Sequence, residues 1–262
     1  MSITLIETFA ALLFVIIFKN PSGIIFGLIL GALWEVLLTF RYAMPLPQFR
    51  FDKKKFSKVV SKGKWLTLSG IFDYLYLNLD NIFVGRMLGT GSLGLYMRAY
   101  SISLLPITEI SDVFNQSTFP IYVRIAGSKM RLKKAFAKTL LTVSLLVLPV
   151  GVIFFIFPTE LITIILGDKW IEIRNVLRVL IVYGVIRAML RTTIGLFYSM
   201  ERQEIITRIT AVSLMGMIFT LVPFVYRWGI IGAGLSAIVG TLVSMPVVIY
   251  YTLKLFNTAQ NE

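Results

Sequence analysis

"FDYLYLNLDNIFVGRMLGTGSLGLYMRAYS", residues Phe72–Ser101, decides how this chain is read. The stretch is apolar enough to enter a bilayer, yet it carries Asp73, Asn78, Asp80, Asn81, Arg86 and Arg98. On insertion scales a charge at mid-bilayer costs at least ~2.5–3.5 kcal/mol, so each one needs a partner, a wet cavity or a task. Asp73 and Asp80 are seven residues apart, which places them on one helical face. On a water-lined face such acids can hold Na⁺ or a proton; the alternative role is hydrogen bonding between helices. Asn78 and Asn81 lie elsewhere on the same helix.

The rest of the chain is equally apolar. Of 262 residues 57% are hydrophobic and only 15% charged, against about 45–50% and roughly 25% in soluble domains. Apolar spans fall near 3–18, 22–40, 65–88, 92–120, 136–157, 175–200, 205–226 and 230–253. Most can cross an apolar layer of about 30 Å as a helix. The expected fold is therefore all-α, a polytopic membrane bundle of about eight transmembrane helices. There is no cysteine and no histidine, so disulfides, thiolate chemistry and the usual metal ligands are absent. No cofactor or metal site is expected.

The net charge of +13 would suggest nucleic acid in a soluble protein. Here Lys and Arg concentrate in 41–64 and 121–138, with Arg202, Arg208 and Lys254 on the same side. The positive-inside bias then puts both termini in the cytoplasm and removes the need for a nucleic-acid partner. "RFDKKKFSKVVSKGKW", 50–65, reads as a basic amphipathic segment on anionic lipid, and as a linker between two halves. The expected organisation is 1–44, two helices; 45–64, linker; and 65–262, a six-helix lobe.

Two further stripes carry charge. Arg98, Ser101, Thr108, Asp112 and Asn115 follow helical spacing. Arg187 and Arg191 are four apart near the middle of a span, with Gly195 and Tyr198 on the same stripe. Neighbouring guanidinium groups in an apolar span repel, so they need carboxylates from another helix or a polyanionic ligand; phosphate oxygens match them in a bidentate manner. Asp80 and Asp112 are candidate lock partners, and both readings stay open at this level. Arg178 lies nearly opposite that pair. Gly232, Ser236 and Gly240 recur every four residues and permit close helix approach.

"LDNIFVGRMLGTGSLGLYMRAYSISLLPI", 79–107, resembles a signature of bacterial polysaccharide exporters, with "LGDKW" at 166–170 and "GIIGAG" at 229–234 in matching order. Together they resemble the lipid-linked oligosaccharide flippases, the Wzx-like branch of the multidrug/oligosaccharidyl-lipid/polysaccharide exporter superfamily. The resemblance implies two six-helix lobes around a cationic cavity, alternating access, and no enzymatic activity. It implies an undecaprenyl-pyrophosphate-linked oligosaccharide as substrate in the cytoplasmic (inner) membrane. Coupling to H⁺ or Na⁺ is implied too, as is association with other polysaccharide-assembly proteins. It carries over to Asp80, Asn81, Arg98 and Tyr100. The candidate substrate-binding set is thus Arg98, Tyr100, Arg187, Arg191 and Tyr198; the candidate cation-coupling set is Asp73, Asp80, Asn81 and Asp112. Relatives usually have about twelve or more spans, so this chain is expected to be one lobe plus two helices, N-terminally truncated. The competing functions are a cation-coupled multidrug antiporter, a membrane transferase on the same lipid carrier, and a non-functional remnant.

Overall fold

A computed structural model describes residues 2–20, 22–42 and 52–257. Among these residues every regular element is helical. The helices are α1 (Ser2–Phe18), α2 (Ser22–Tyr42), α3 (Lys53–Ile125), α4 (Lys129–Ile156), α5 (Pro158–Leu166), α6 (Arg174–Ser199) and α7 (Gln203–Asn257), with a 3₁₀ turn at Asp168–Ile173. The chain divides into two compact units, Met1–Ser57 and Lys58–Glu262. The part of the expected linker at 45–51 lies outside the described residues; from Lys53 onward the chain is already helical and runs unbroken into the next span.

In the first unit α1 and α2 form a hairpin. A Cβ at Gly27 would stand 2.4 Å from the Ala11 Cα, and one at Gly23 would meet the Phe14–Val15 backbone. Only glycine allows this approach, which is how helices gain dispersion contact where no hydrophobic force drives them together. Phe14, Phe18 and Phe26 close one end with ring centroids 5.5–6.0 Å apart.

The second unit holds the remaining helices. Both α3 and α7 break once, at Gly89 (φ 85°) and Gly229 (φ 58°). Positive φ is nearly free for glycine and strained for other residues, so each glycine reverses the chain and makes one long element into two limbs, 53–88 and 90–125, then 203–228 and 230–257. The turn within "LGTGSLG", residues 88–94, is thus tight, because residues 90–94 are helical. Pro106, Pro149, Pro223 and Pro246 sit inside helices without such a break.

Among the described residues Ser22–Tyr42, Lys129–Ile156, Asp168–Ser199 and Gln203–Asn257 are long and apolar enough to cross a membrane. The α3 limbs have the length but carry the charges quoted above. The chain is a multi-pass membrane protein. Between α4 and α6 the chain is folded as α5 and the 3₁₀ turn, with Ile162 and Ile173 buried.

Helix α6 is the centre of this unit, buried on most of its circumference at Val176, Leu177, Leu180, Ile181, Gly184 and Ala188. Most buried serine and threonine hydroxyls are satisfied along their own helices, with Ser213 an exception: Ser103, Ser111, Thr192, Thr210 and Thr241 each donate to the carbonyl four residues earlier. Such back-bonding removes the cost of placing a hydroxyl in an apolar interior. Gly232, Ser236 and Gly240 are all buried, and a Cβ at Gly240 would lie 2.6 Å from the Ser213 carbonyl. The two limbs of α7 therefore touch backbone to backbone, as the four-residue repeat predicts.

Candidate functional site

The polar groups of the spans converge on one face inside the second unit. The first limb of α3 supplies Asp73, Tyr76, Asp80 and Asn81; the second limb supplies Tyr96, Tyr100, Asp112 and Asn115; α6 supplies Tyr183, Arg187, Arg191 and Tyr198. Apart from Asn81, which directly follows Asp80, their spacings of three, four and seven residues, with twelve between Tyr100 and Asp112, put them on shared stripes of their helices.

Asp80 is buried, at 2% exposure. Its Oδ2 accepts from the Tyr96 hydroxyl at 2.7 Å and its Oδ1 from the Asn81 backbone N–H at 2.8 Å. Both donors are neutral. No cationic side chain lies within ion-pair distance of Asp80 among the described residues. The neighbouring Asn81 amide oxygen is buried and accepts no hydrogen bond there. Tyr76 is held separately, its hydroxyl 2.7 Å from that of Thr241 and donating to the Ala237 carbonyl at 3.2 Å.

Arg187 donates through one terminal nitrogen to the hydroxyls of Tyr100 and Tyr183, at 2.9 and 3.0 Å, and stands 5.6 Å over the Tyr183 ring. Tyrosine oxygens orient a guanidinium without neutralising it. No carboxylate is within ion-pair distance of Arg187 among the described residues. One turn further along α6, Arg191 pairs with Asp112 at 2.8 Å, both side chains 37% exposed. The arginine lock expected with Asp80 or Asp112 is formed with Asp112 and not with Asp80.

Three hollows run together along this face. One of about 240 Å³ holds Asp73, Arg187, Arg191 and Tyr198. A second, about 450 Å³, shares Arg187 and adds Asn81, Tyr100, Thr108 and Glu109. A third, about 650 Å³, shares Arg191 and Tyr198 and adds Asp112, Asn115 and Gln203. A Cβ at Gly195 would strike the Asn115 amide oxygen at 2.7 Å, so the glycine makes room for that side chain. Arg98 does not line these hollows; it is exposed, with its guanidinium 5.9 Å over Trp170 of the 3₁₀ turn. Of the nine candidates seven line the hollows; Asp80 is buried and lines none of them, bonded to the Asn81 backbone N–H and the Tyr96 hydroxyl, and Arg98 stands apart.

Tyr96, Tyr183 and Thr241 were not singled out by sequence reasoning. The available signal was positional: Tyr96 precedes Tyr100 by four residues and Tyr183 precedes Arg187 by four, the spacing of facing side chains. Chemically the face offers a partly wet wall with one uncompensated guanidinium, one paired guanidinium and one buried carboxylate bound only by neutral donors. It suits an anion at the arginines and a small cation or proton at Asp80. Among the described residues no cluster of three or more metal-ligating side chains occurs.

Comparison with known proteins adds a frame. A family model described as polysaccharide biosynthesis protein matches residues 1–175. The chain is 27% identical over 165 residues to the lipopolysaccharide biosynthesis protein WzxC of Escherichia coli (strain K12), covering 63% of this chain and 31% of that protein. It is 25% identical over 244 residues to an uncharacterised membrane protein in the cps region of Klebsiella pneumoniae, covering 91% and 50%. It is 23% identical over 175 residues to the teichuronic acid biosynthesis protein TuaB of Bacillus subtilis (strain 168), covering 67% and 34%. The chain thus spans half or less of the length of these curated relatives. By fold it is similar to the lipid II flippase MurJ in an inward closed conformation, with a TM-score of 0.76 at 13% identity, covering 96% of this chain and 56% of that one. It is also similar to an outward-facing multidrug resistance MATE family transporter of the MOP superfamily, with a TM-score of 0.70 at 13% identity, covering 99% and 63%.

Proposed function

This chain belongs to the polysaccharide biosynthesis protein family, and we propose that it takes part in flipping an undecaprenyl-pyrophosphate-linked oligosaccharide across the cytoplasmic membrane by alternating access. The names of WzxC and TuaB and the MurJ-like fold support the substrate class. The observation that carries the site is Arg187. It is a cation fixed by two tyrosine hydroxyls, without a carboxylate partner among the described residues, on a hollow it shares with Arg191 and Tyr198. A pyrophosphate supplies the charge this arrangement lacks, and the guanidinium fork matches its oxygens.

In this reading Tyr100 presents Arg187, Arg191 exchanges Asp112 for substrate phosphate, and Tyr198 borders the sugar-proximal side. Asp80 and Asn81 form the cation-coupling element, with Asp73 and Asp112 on the same wet interior. The basic segments face the cytoplasm, as do both termini. A cationic drug as substrate sits poorly against Arg187 and Arg191, which separates this reading from multidrug export.

The test is Arg187→Ala at the gene's own locus. Surface glycan is expected to fall by an order of magnitude or more while lipid-linked precursor accumulates on the inner leaflet. Unchanged export would remove Arg187 from the mechanism. Efflux of a cationic dye that depends on Asp80 would instead establish the multidrug reading.

A further inference from the structure

On the side of α6 turned away from Arg187 and Arg191, α4 and α6 enclose a groove of about 460 Å³ with a wholly apolar lining. Gly151, Ile181 and Val185 form its floor; Leu148, Val152 and Val182 are its exposed walls. The floor depends on the missing side chain at 151, where a Cβ would sit 2.6 Å from Val185 Cγ2. Two arginines continue the same stripe of α6 toward the α5 end. Arg174, Arg178, Ile181 or Val182, and Val185 recur at helical spacing, and both arginines are exposed. Arg178 is fixed at the mouth of the groove: its Nε donates to the Phe155 carbonyl at 3.1 Å, and its guanidinium lies 6.0 Å over the Phe155 ring. That bond also satisfies a carbonyl at the C-terminus of α4. The terminal nitrogens of Arg178 are engaged by no carboxylate within ion-pair distance among the described residues, and neither is Arg174.

We propose that this groove binds one anionic phospholipid of the leaflet at the α5 end, with an acyl chain in the trough and its phosphate on Arg174 and Arg178. Charge complementarity commits the occupant. Any bilayer offers a chain to an apolar trough, but two unpaired guanidinium groups at its end select a phosphate carrying net negative charge. The site is separated from the substrate face by the full width of α6, so a lipid bound there does not compete for Arg187. It fills the trough beside the close approach of α4 and α6 that Gly151 allows, and so supports the helix that presents Arg187 and Arg191.

Native mass spectrometry of the full chain, released from bilayers of equal phosphatidylcholine and phosphatidylglycerol, tests the proposal. Wild type is expected to retain one phosphatidylglycerol in preference to phosphatidylcholine. Arg174→Gln with Arg178→Gln should lower that preference roughly tenfold, Arg178→Lys should keep most of it, and Val182→Trp, which fills the trough, should lower retention of both lipids. Equal retention of the two lipids by wild type overturns the proposal without recourse to any variant. Retention unaffected by Val182→Trp overturns the groove as the seat of the chain. Displacement of the lipid by soluble glycerol phosphate would show a site for the anion alone, and overturns the lipid assignment.

Discussion

Arg191 lies 2.8 Å from the carboxylate of Asp112, so among the described residues the ion pair joining α3 and α6 falls beside Arg187, whose hydrogen bonds go to two tyrosine hydroxyls. The two guanidinium groups, one turn apart, are therefore in different states. Arg187 stays a resident positive charge. Arg191 is neutralised by the Asp112 carboxylate, which in the proposed function a substrate phosphate would replace.

That difference predicts the behaviour of Asp112→Asn. Both partners are 37% exposed, and at such exposure an ion pair is worth roughly 0.5–1 kcal/mol. Its loss should barely change thermal unfolding, yet free Arg191 for an anion. Binding of a lipid pyrophosphate to purified protein should tighten several-fold, and Arg191→Gln should reverse the gain. Weakened binding in Asp112→Asn would mean that the carboxylate positions Arg191 and does not compete for it.

Tyr96→Phe tests the buried acid. The substitution leaves Asp80 Oδ2 without its donor at 2% exposure, and an unsatisfied buried acceptor costs about 1–3 kcal/mol. The apparent unfolding temperature in bilayers should drop clearly. Combined with Asp80→Asn, the loss should be smaller than the two single losses added, because the residues share one bond. Additive losses would show that the hydroxyl and the carboxylate act independently.

The glycine breaks give a third prediction. A Cβ at Gly89 meets nothing within 4 Å and one at Gly229 meets only Leu88 Cδ1 at 3.9 Å, so alanine there fits sterically. The strain comes from φ of 85° and 58° and amounts to about 1–3 kcal/mol per site. Gly91→Ala, equally uncrowded but within helix, should be neutral or stabilising. Unfolding of the three variants in one detergent would show it; equal stabilities would deny that the breaks depend on glycine.

Much of this architecture was legible in the residues. Uninterrupted apolar runs gave the spans, and the four-residue repeat Gly232, Ser236, Gly240 gave the contact that closes α7 on itself. The charged stripes gave the polar face, because helical spacing is independent of the neighbours. Other features were hidden because they arise between elements. Asp112 and Asp80 were equivalent partners for an arginine until packing set α3 against α6. Tyr96 and Tyr183 carry no mark of their role in the sequence, since a tyrosine hydroxyl declares it only when its partner is known. The α5 helix is too short to stand out as a span in the residues, and Arg98 followed the stripe of Asp112 but reached Trp170 on the 3₁₀ turn.

The final prediction concerns energy coupling. Asp80 is a buried carboxylate whose two hydrogen bonds come from neutral donors, beside an Asn81 oxygen that accepts nothing among the described residues. A bare charge in that setting is costly, so a proton or a small cation is the natural neutraliser. Asp73 is exposed on the neighbouring hollow and lacks that pressure. Transport into vesicles should respond to an imposed Na⁺ or pH gradient in the wild-type system. Asp80→Asn should abolish the response to whichever gradient acts, and Asp73→Asn should only reduce it. Running both gradients identifies the ion. A response that survives Asp80→Asn in full would place the coupling site elsewhere in the protein, and leave Asp80 as the residue that anchors Tyr96 and joins the two limbs of α3.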